Sequence, residues 1–202
     1  MAQIETPEQL AAIIPDPSPR AAAKVLDRLD EQALEFVRRS PFLFIGTEGE
    51  AGIEISPKGD RAGFAEIVDY RTLLIPERPG NQLKFGLSNI LANGRISLLF
   101  LCPPTSDTVR VTGRVTLIDD PDICARHAVQ GKPALLMMRV EIERAFFHCS
   151  RPILRAGLWN PETWGDPMKI SYGKIYAKAL GNPDIIEVFD TITAERENDL
   201  WH

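Results

Sequence analysis

No apolar run in this 202-residue chain approaches the roughly 20 residues that a membrane-crossing helix needs. The first residues, M-A-Q-I-E-T-P-E, lack the basic start and apolar stretch of an export signal, so a soluble, cytoplasmic protein without a membrane partner is expected. Cysteine is scarce. Cys102, Cys124 and Cys149 are widely spaced, odd in number and free of any C-x-x-C pattern, which argues for reduced thiols and against a disulfide framework. His127, His148 and His202 do not have metal-ligand spacing, and no metal site is expected. No G-x-S-x-G, G-x-G-x-x-G or Walker A pattern occurs, so a nucleophile elbow, a Rossmann site and a P-loop are not indicated. The neighbours His148 and Cys149 read either as a catalytic pair or as an ordinary strand end. Positive charge is also lacking. Lys and Arg total 23 against 28 Asp and Glu, a net charge of −5, which argues against a nucleic-acid partner but not against a local basic pocket.

What is present suits one globular domain: 44% hydrophobic and 25% charged residues, enough to bury a core without staples. Residues 1–41 read as a helical lead. Thr6-Pro7-Glu8-Gln9 is a capping box, and Ser18-Pro19 repeats the start signal for helical sequence that runs to about Arg39 with a possible break at Asp30. Leu26, Leu29, Ala33, Phe36 and Val37 form its apolar face. Residues 42–160 then carry short β-prone runs at 42–47, 52–56, 64–68, 72–75, 95–101, 109–117 and 138–149. Val109, Val111, Gly113, Val115 and Leu117 alternate strictly with polar residues, the pattern of a half-buried strand. Short helices are expected from Asn81 and over 121–130. Residues 161–202 form an irregular segment and a terminal helix opened by Asn182-Pro183. Short strands with few intervening helices favour a mainly β, antiparallel barrel, closed or partly open.

The stretch 72–101 reads as strand, tight loop, helix, strand. Pro79-Gly80 is a turn pair and Asn81 a helix N-cap, with Leu83, Leu87, Ile90 and Leu91 as one apolar stripe. A helix start leaves N–H groups unpaired and suits a phosphate, although an ordinary capped helix beside a solvated Arg78 has the same sequence. Lys58, in a Pro-Lys-Gly turn, reads as a ligand contact or as a solvated turn residue. Arg110 and Arg114 share one strand face. With Gln82 and Arg151 these are the candidate polar groups at strand ends.

Four motifs in order, S-P-K-G-D (from Ser56), I-P-E-R-P-G-N (from Ile75), N-I-L-A-N-G-R-I-S-L-L-F (from Asn89) and T-V-R-V-T-G-R (from Thr108), resemble the pyridoxamine 5′-phosphate oxidase-like FMN-binding split-barrel family. The resemblance covers roughly 42–159. It implies an antiparallel split barrel with flanking helices, FMN as cofactor, and a homodimer with FMN at the subunit interface. It also implies that Lys58, Arg78, Asn81 and Gln82 hold the FMN phosphate, and that the strand Glu54, Ile55, Ser56 passes the isoalloxazine edge with its backbone. Ile75, which opens the second motif, Arg110, Arg151 and Trp159 complete the expected cofactor-binding set. Trp159 reads either as a residue packing near the ring or as a core Trp.

Authentic oxidases of the family carry an Arg-Lys pair where this chain has Asn81-Gln82, and a basic R-L-x-P-like end where this chain has T-A-E-R-E-N-D-L-W-H. The resemblance is therefore to an uncharacterised subgroup rather than to the vitamin B6 enzymes. An FMN-dependent oxidoreductase acting on a small molecule is the expected function, with no catalytic acid or base standing out. A non-catalytic flavin- or haem-binding sensor or stress protein is the alternative.

Overall fold

The computed structural model of the chain describes residues 3–198. α1 (Pro7–Ile13) opens on the capping box, with Thr6 Oγ1 accepting from the Gln9 N–H at 3.3 Å. Ser18 caps α2 (Pro19–Ala23). Helix does not then run on to Arg39. Residues 24–30 are irregular, and Leu26 forms an isolated bridge with Ala145. Asp30 caps α3 (Glu31–Arg39), its Oδ1 accepting from the Ala33 N–H at 2.8 Å. A short acidic side chain satisfies helix-start amides better than it tolerates a helix interior, so the break falls there. Leu29, Ala33, Phe36 and Val37 of the expected apolar face are buried, as is Leu34.

Seven strands follow: β1 (Phe42–Gly49), β2 (Gly52–Gly59), β3 (Glu66–Asp69), β4 (Thr72–Glu77), β5 (Arg95–Cys102), β6 (Thr105–Ile118) and β7 (Leu136–His148). They form one sheet in the order β2-β1-β5-β6-β7-β4-β3, antiparallel throughout. α4 (Phe85–Asn93) joins β4 to β5, and α5 (Pro121–Arg126) joins β6 to β7, ending four residues short of the expected stop. The sheet is a split barrel, with β2 and β3 left as edges. Its inner face, with Leu43, Leu98, Phe100, Val109, Val111 and Val140, is buried with α3 in one cluster.

Two strands run past their expected ends at residues 56 and 75, each through a proline. Pro57 lies in β2, an edge strand, where one side of the backbone has no ladder partner. Pro76 lies in β4, and the β3–β4 pairing is already finished at Leu74, so its missing N–H removes no bond on that side. After β7 come α6 (Arg151–Ala156), α7 (Tyr172–Leu180) and α8 (Ile186–Asn198). The expected terminal helix is α8. α7 was not anticipated, although Ser171 caps it and Gly181 ends it in the left-handed region with φ 65°. No helix among the described residues is long and apolar enough to cross a membrane, and among them no group of three His, Cys, Asp or Glu could hold a metal ion.

The alternating strand β6 carries a register shift between Thr112 and Gly113 against β7. A Cβ built on Gly113 would stand 2.0 Å from the Glu141 carbonyl oxygen, which is backbone and cannot rotate away. Gly113→Ala is therefore expected to cost about 1–3 kcal/mol or more through forced backbone movement, seen as a lower denaturant midpoint. An unchanged midpoint would show that the bulge relaxes freely.

Candidate functional site

β2 and β4 are not neighbours in the sheet, yet their ends meet through side chains. Lys58 Nζ donates to Glu77 Oε1 at 2.6 Å, and Arg78 donates to Asp60 Oδ2 through Nε and Nη2, both at 2.9 Å. All four side chains are largely withdrawn from water: Lys58 is 22% exposed, Glu77 13%, Arg78 16% and Asp60 2%. Strand alternation causes this. Lys58 pairs with buried Leu43 of β1, so it shares the inner face with Ser56 and Glu54, whereas Ile53, Ile55 and Pro57 point outward and are exposed. The two cations expected to face a phosphate thus each hold a carboxylate. The ammonium of Lys58 has three donors, and Glu77 takes one. Glu77 Oε2 is buried and has no hydrogen-bond partner among the described residues. A buried, unpaired carboxylate oxygen is costly, and it calls for a donor.

The helix expected at Asn81 starts at Phe85 instead. Asn81 Oδ1 accepts from the Leu83 N–H at 3.1 Å, a local turn that uses the side chain before any helix begins. Gln82 (φ 59°) and Lys84 (φ 60°) both occupy the left-handed region, unusual for residues with a Cβ, and together they turn the chain into α4. The cap position falls to Lys84, which makes no side-chain capping bond and is exposed. The first amides of α4, from Phe85 to Leu87, therefore lack intrahelical acceptors. The apolar stripe shifts accordingly. Ile90 is buried and Leu87 half-buried, whereas Leu83 and Leu91 are exposed. Sequence reading passed over Lys84 because Lys is a poor N-cap and Asn81 a good one. The only available signal was the chance for two consecutive polar residues after Gly80 to be consumed by a turn.

The remaining candidates are dispersed. Ile75 lies in the core with 0% exposure, so only its backbone is available to a ligand. Arg110 is exposed on the outer face, flanked across the sheet by Leu99 and Phe146, and that face is opposite to Lys58. Arg151 stands exposed at the first position of α6. Trp159 is half-buried, and its Nε1–H donates to the Thr105 carbonyl at 3.0 Å, which ties the post-β7 segment to the β5–β6 turn. Lys58 and Arg78 meet through their carboxylate partners at the ends of β2 and β4, the loop into α4 follows Arg78 directly, and Glu54, Ile55 and Ser56 lie in the same edge strand as Lys58. No hydrogen bond or ion pair among the described residues joins Arg110, Arg151 or Trp159 to that group.

Asp60→Asn removes the charge that holds Arg78. Charge-assisted hydrogen bonds contribute about 1.5–3 kcal/mol, and this carboxylate is nearly sealed from solvent. A loss of stability of that order is expected in urea unfolding, with Asp16→Asn on the exposed lead as a neutral control. Equal midpoints for both variants would mean that the pair does not hold β2 to the β4 end.

Residues 29–149, more than half of the chain, match the family model described as Pyridoxamine 5′-phosphate oxidase. Among solved structures, HupZ of Group A Streptococcus is 17% identical, covering 59% of this chain and 93% of its own, with a TM-score of 0.49. A Clostridium acetobutylicum protein related to general stress protein 26 is 15% identical over 59% of this chain and 90% of its own, with a TM-score of 0.46. An F420 reductase is 15% identical over 59% of this chain and 98% of its own, with a TM-score of 0.42. No curated protein matches the chain. With the sheet order above and a family model spanning everything from Leu29 to the end of β7, the chain belongs to the pyridoxamine 5′-phosphate oxidase family, a family of flavin-binding split barrels.

Proposed function

We propose that this protein is an FMN-dependent oxidoreductase acting on a small molecule, working as a cytoplasmic homodimer with FMN at the subunit interface. The observation that carries the cofactor assignment is a pair of opposite needs eight residues apart in the chain, at Glu77 and at the start of α4. Lys84 and the amides at the start of α4 offer donors and positive charge, while the buried Glu77 Oε2 lacks a donor. FMN brings both complements, a phosphate dianion and ribityl hydroxyls. In this reading Lys84 and the α4 amides take the phosphate, with Asn81 and Gln82 shaping the loop. Lys58 and Arg78, each neutralised by a carboxylate, fix the ends of β2 and β4, and Glu77 accepts from a hydroxyl. The open backbone edge of Glu54, Ile55 and Ser56 is left for the ring. Bound FMN supplies two-electron redox chemistry, and the protein positions it and excludes water. A second subunit completes the cover, because the outer face of β1 and β2 exposes Phe44, Ile53 and Ile55.

One observation favours a second reading, a flavin-binding protein without turnover. The carboxylates at the opening, Glu77 and Asp60, are both engaged in ion pairs, so neither is available as a general acid or base. Bleaching of a yellow protein by a nicotinamide donor, followed by recovery in air, supports the enzyme. A yellow protein that no donor bleaches supports the binder.

Lys84→Ala is expected to weaken FMN binding about ten- to a hundredfold, one charge-assisted contact, while leaving riboflavin affinity nearly unchanged. Lys58→Ala and Arg78→Ala should weaken both flavins, since each also frees a carboxylate at the opening. Fluorescence titration of apoprotein distinguishes the cases. Wild-type FMN affinity in the Lys84 variant, or equal affinity of wild type for riboflavin and FMN, sinks the phosphate assignment.

A further inference from the structure

α7 and α8 pack on each other. The rings of Tyr176 and Phe189 are 4.8 Å apart, and Gly173 passes so close to Ile186 that an added Cβ would meet its carbonyl oxygen at 2.1 Å. Asp190 accepts from Ser171 Oγ at 2.7 Å and from the Gly173 N–H at 2.8 Å. Neither helix has substantial contact with any strand among the described residues. α7 nevertheless carries two apolar sides. Gly173, Ala177 and the ring of Tyr176 face α8, while Tyr172, Ile175, Ala179 and Leu180 are exposed. These four fall at i, i+3, i+7 and i+8, the stripe of a helix built to lie on something. The hairpin lies outside the stretch matched by the family model.

The same chain shows a second uncovered surface. β2 is an edge strand whose outer face presents Ile53 at 74% and Ile55 at 69% exposure, beside Phe44 of β1. An exposed apolar edge strand invites association unless it is covered. The two surfaces also complement one another in charge. Lys178 lies on α7 one turn beyond Lys174, whose charge already acts on Asp190, and Glu48 and Glu50 lie at the β1–β2 tip. Among the described residues no ion pair engages Lys178, Glu48 or Glu50. Residues 164–170 link the Trp159 anchor to the hairpin without helix or strand, and seven extended residues reach about 23–25 Å.

We infer that the α7–α8 hairpin is an exchanged arm: the exposed stripe of α7 in one copy covers the outer face of β1 and β2 in a second copy. The arrangement is reciprocal. Each copy gives one arm and receives one, so a two-fold axis satisfies both surfaces and the assembly closes at two. This inference rests on the homodimer proposed above and adds which segments hold it together.

The test uses the full chain. Ile175→Asp and Leu180→Asp on the arm, and Ile53→Asp on the sheet, all alter exposed side chains, so each variant keeps its monomer core. Light scattering over a dilution series is expected to show at least a tenfold rise in the dimer dissociation constant for each. In a Cys149→Ser background, Ile53→Cys combined with Ile175→Cys and a short bis-maleimide should give covalent dimers on a denaturing gel. A dimer that all three Asp variants leave unchanged overturns the arm while sparing the homodimer. A cross-link closed within one chain overturns it as well. A wild-type chain that is monomeric at tens of micromolar overturns both.

Discussion

The split barrel depends on two ion pairs that span its opening. Backbone ladders account for every neighbour from β2 to β3 but leave the two ends of the sheet unjoined. Lys58–Glu77 and Asp60–Arg78 tie β2 with side chains to the end of β4, the strand beside the β3 edge. Buried ion pairs add little net stability, because desolvation consumes most of the Coulombic gain. What they confer is position. Glu77 and Arg78 are consecutive and hold partners on either side of Gly59, so the end of β4 can sit in only one register against the end of β2. Everything downstream inherits that placement: the turn through Pro79 and Gly80, the two left-handed residues and the start of α4.

Much of the sheet was legible in the sequence, because strand alternation is a short-range signal. Val109, Val111 and Val115 are buried as their spacing implies, and the helix caps at Thr6, Ser18 and Asp30 are where side-chain chemistry puts them. Strand ends were less legible. The β-prone runs at 52–56 and 72–75 stop short of Pro57 and Pro76, yet each proline sits where the sheet has no partner for its absent N–H, a fact of strand order that no local window contains. The same holds for the opening. Lys58 and Arg78 could be selected as polar groups at strand ends. That Glu77 and Asp60 would face them depends on the curl of the whole sheet. Asn81 misled for a different reason. Its cap preference is real, but the side chain spends it on Leu83, and the helix begins four residues later at Phe85.

Division of the sheet into two faces separates two roles that the sequence presented together. Ser56 and Lys58 turn inward, toward the opening, while Ile53 and Ile55 turn outward from the same strand. A strand with period two can therefore serve a site and an interface at once, and one residue of slippage would exchange them. Arg110 belongs with the outward set. It is adjacent in the sheet to Leu99 and Phe146, so its charge is set among apolar neighbours on the face that a second subunit would cover.

Charge balance decides how the opening can attract an anion. Lys58, Arg78, Glu77 and Asp60 are paired one to one, and their formal charges cancel. A phosphate at similar distance from all four gains little from them at long range. The unbalanced positive charge in the adjoining loop is the ammonium of exposed Lys84 together with the start of α4, the latter worth roughly half an elementary charge. At an effective dielectric of about 20, one unit charge at 4 Å contributes on the order of 4 kcal/mol, before desolvation is subtracted. That exceeds anything a neutral quartet can offer at the same distance. The quartet is better understood as a frame, rigid because its members satisfy one another. Its single unsatisfied atom, Glu77 Oε2, faces a need for a donor rather than for an anion. In the proposed reading, attraction of the charged end and fixation of the neutral polyol fall to different residues, and the left-handed residues Gln82 and Lys84 turn the chain between them into α4.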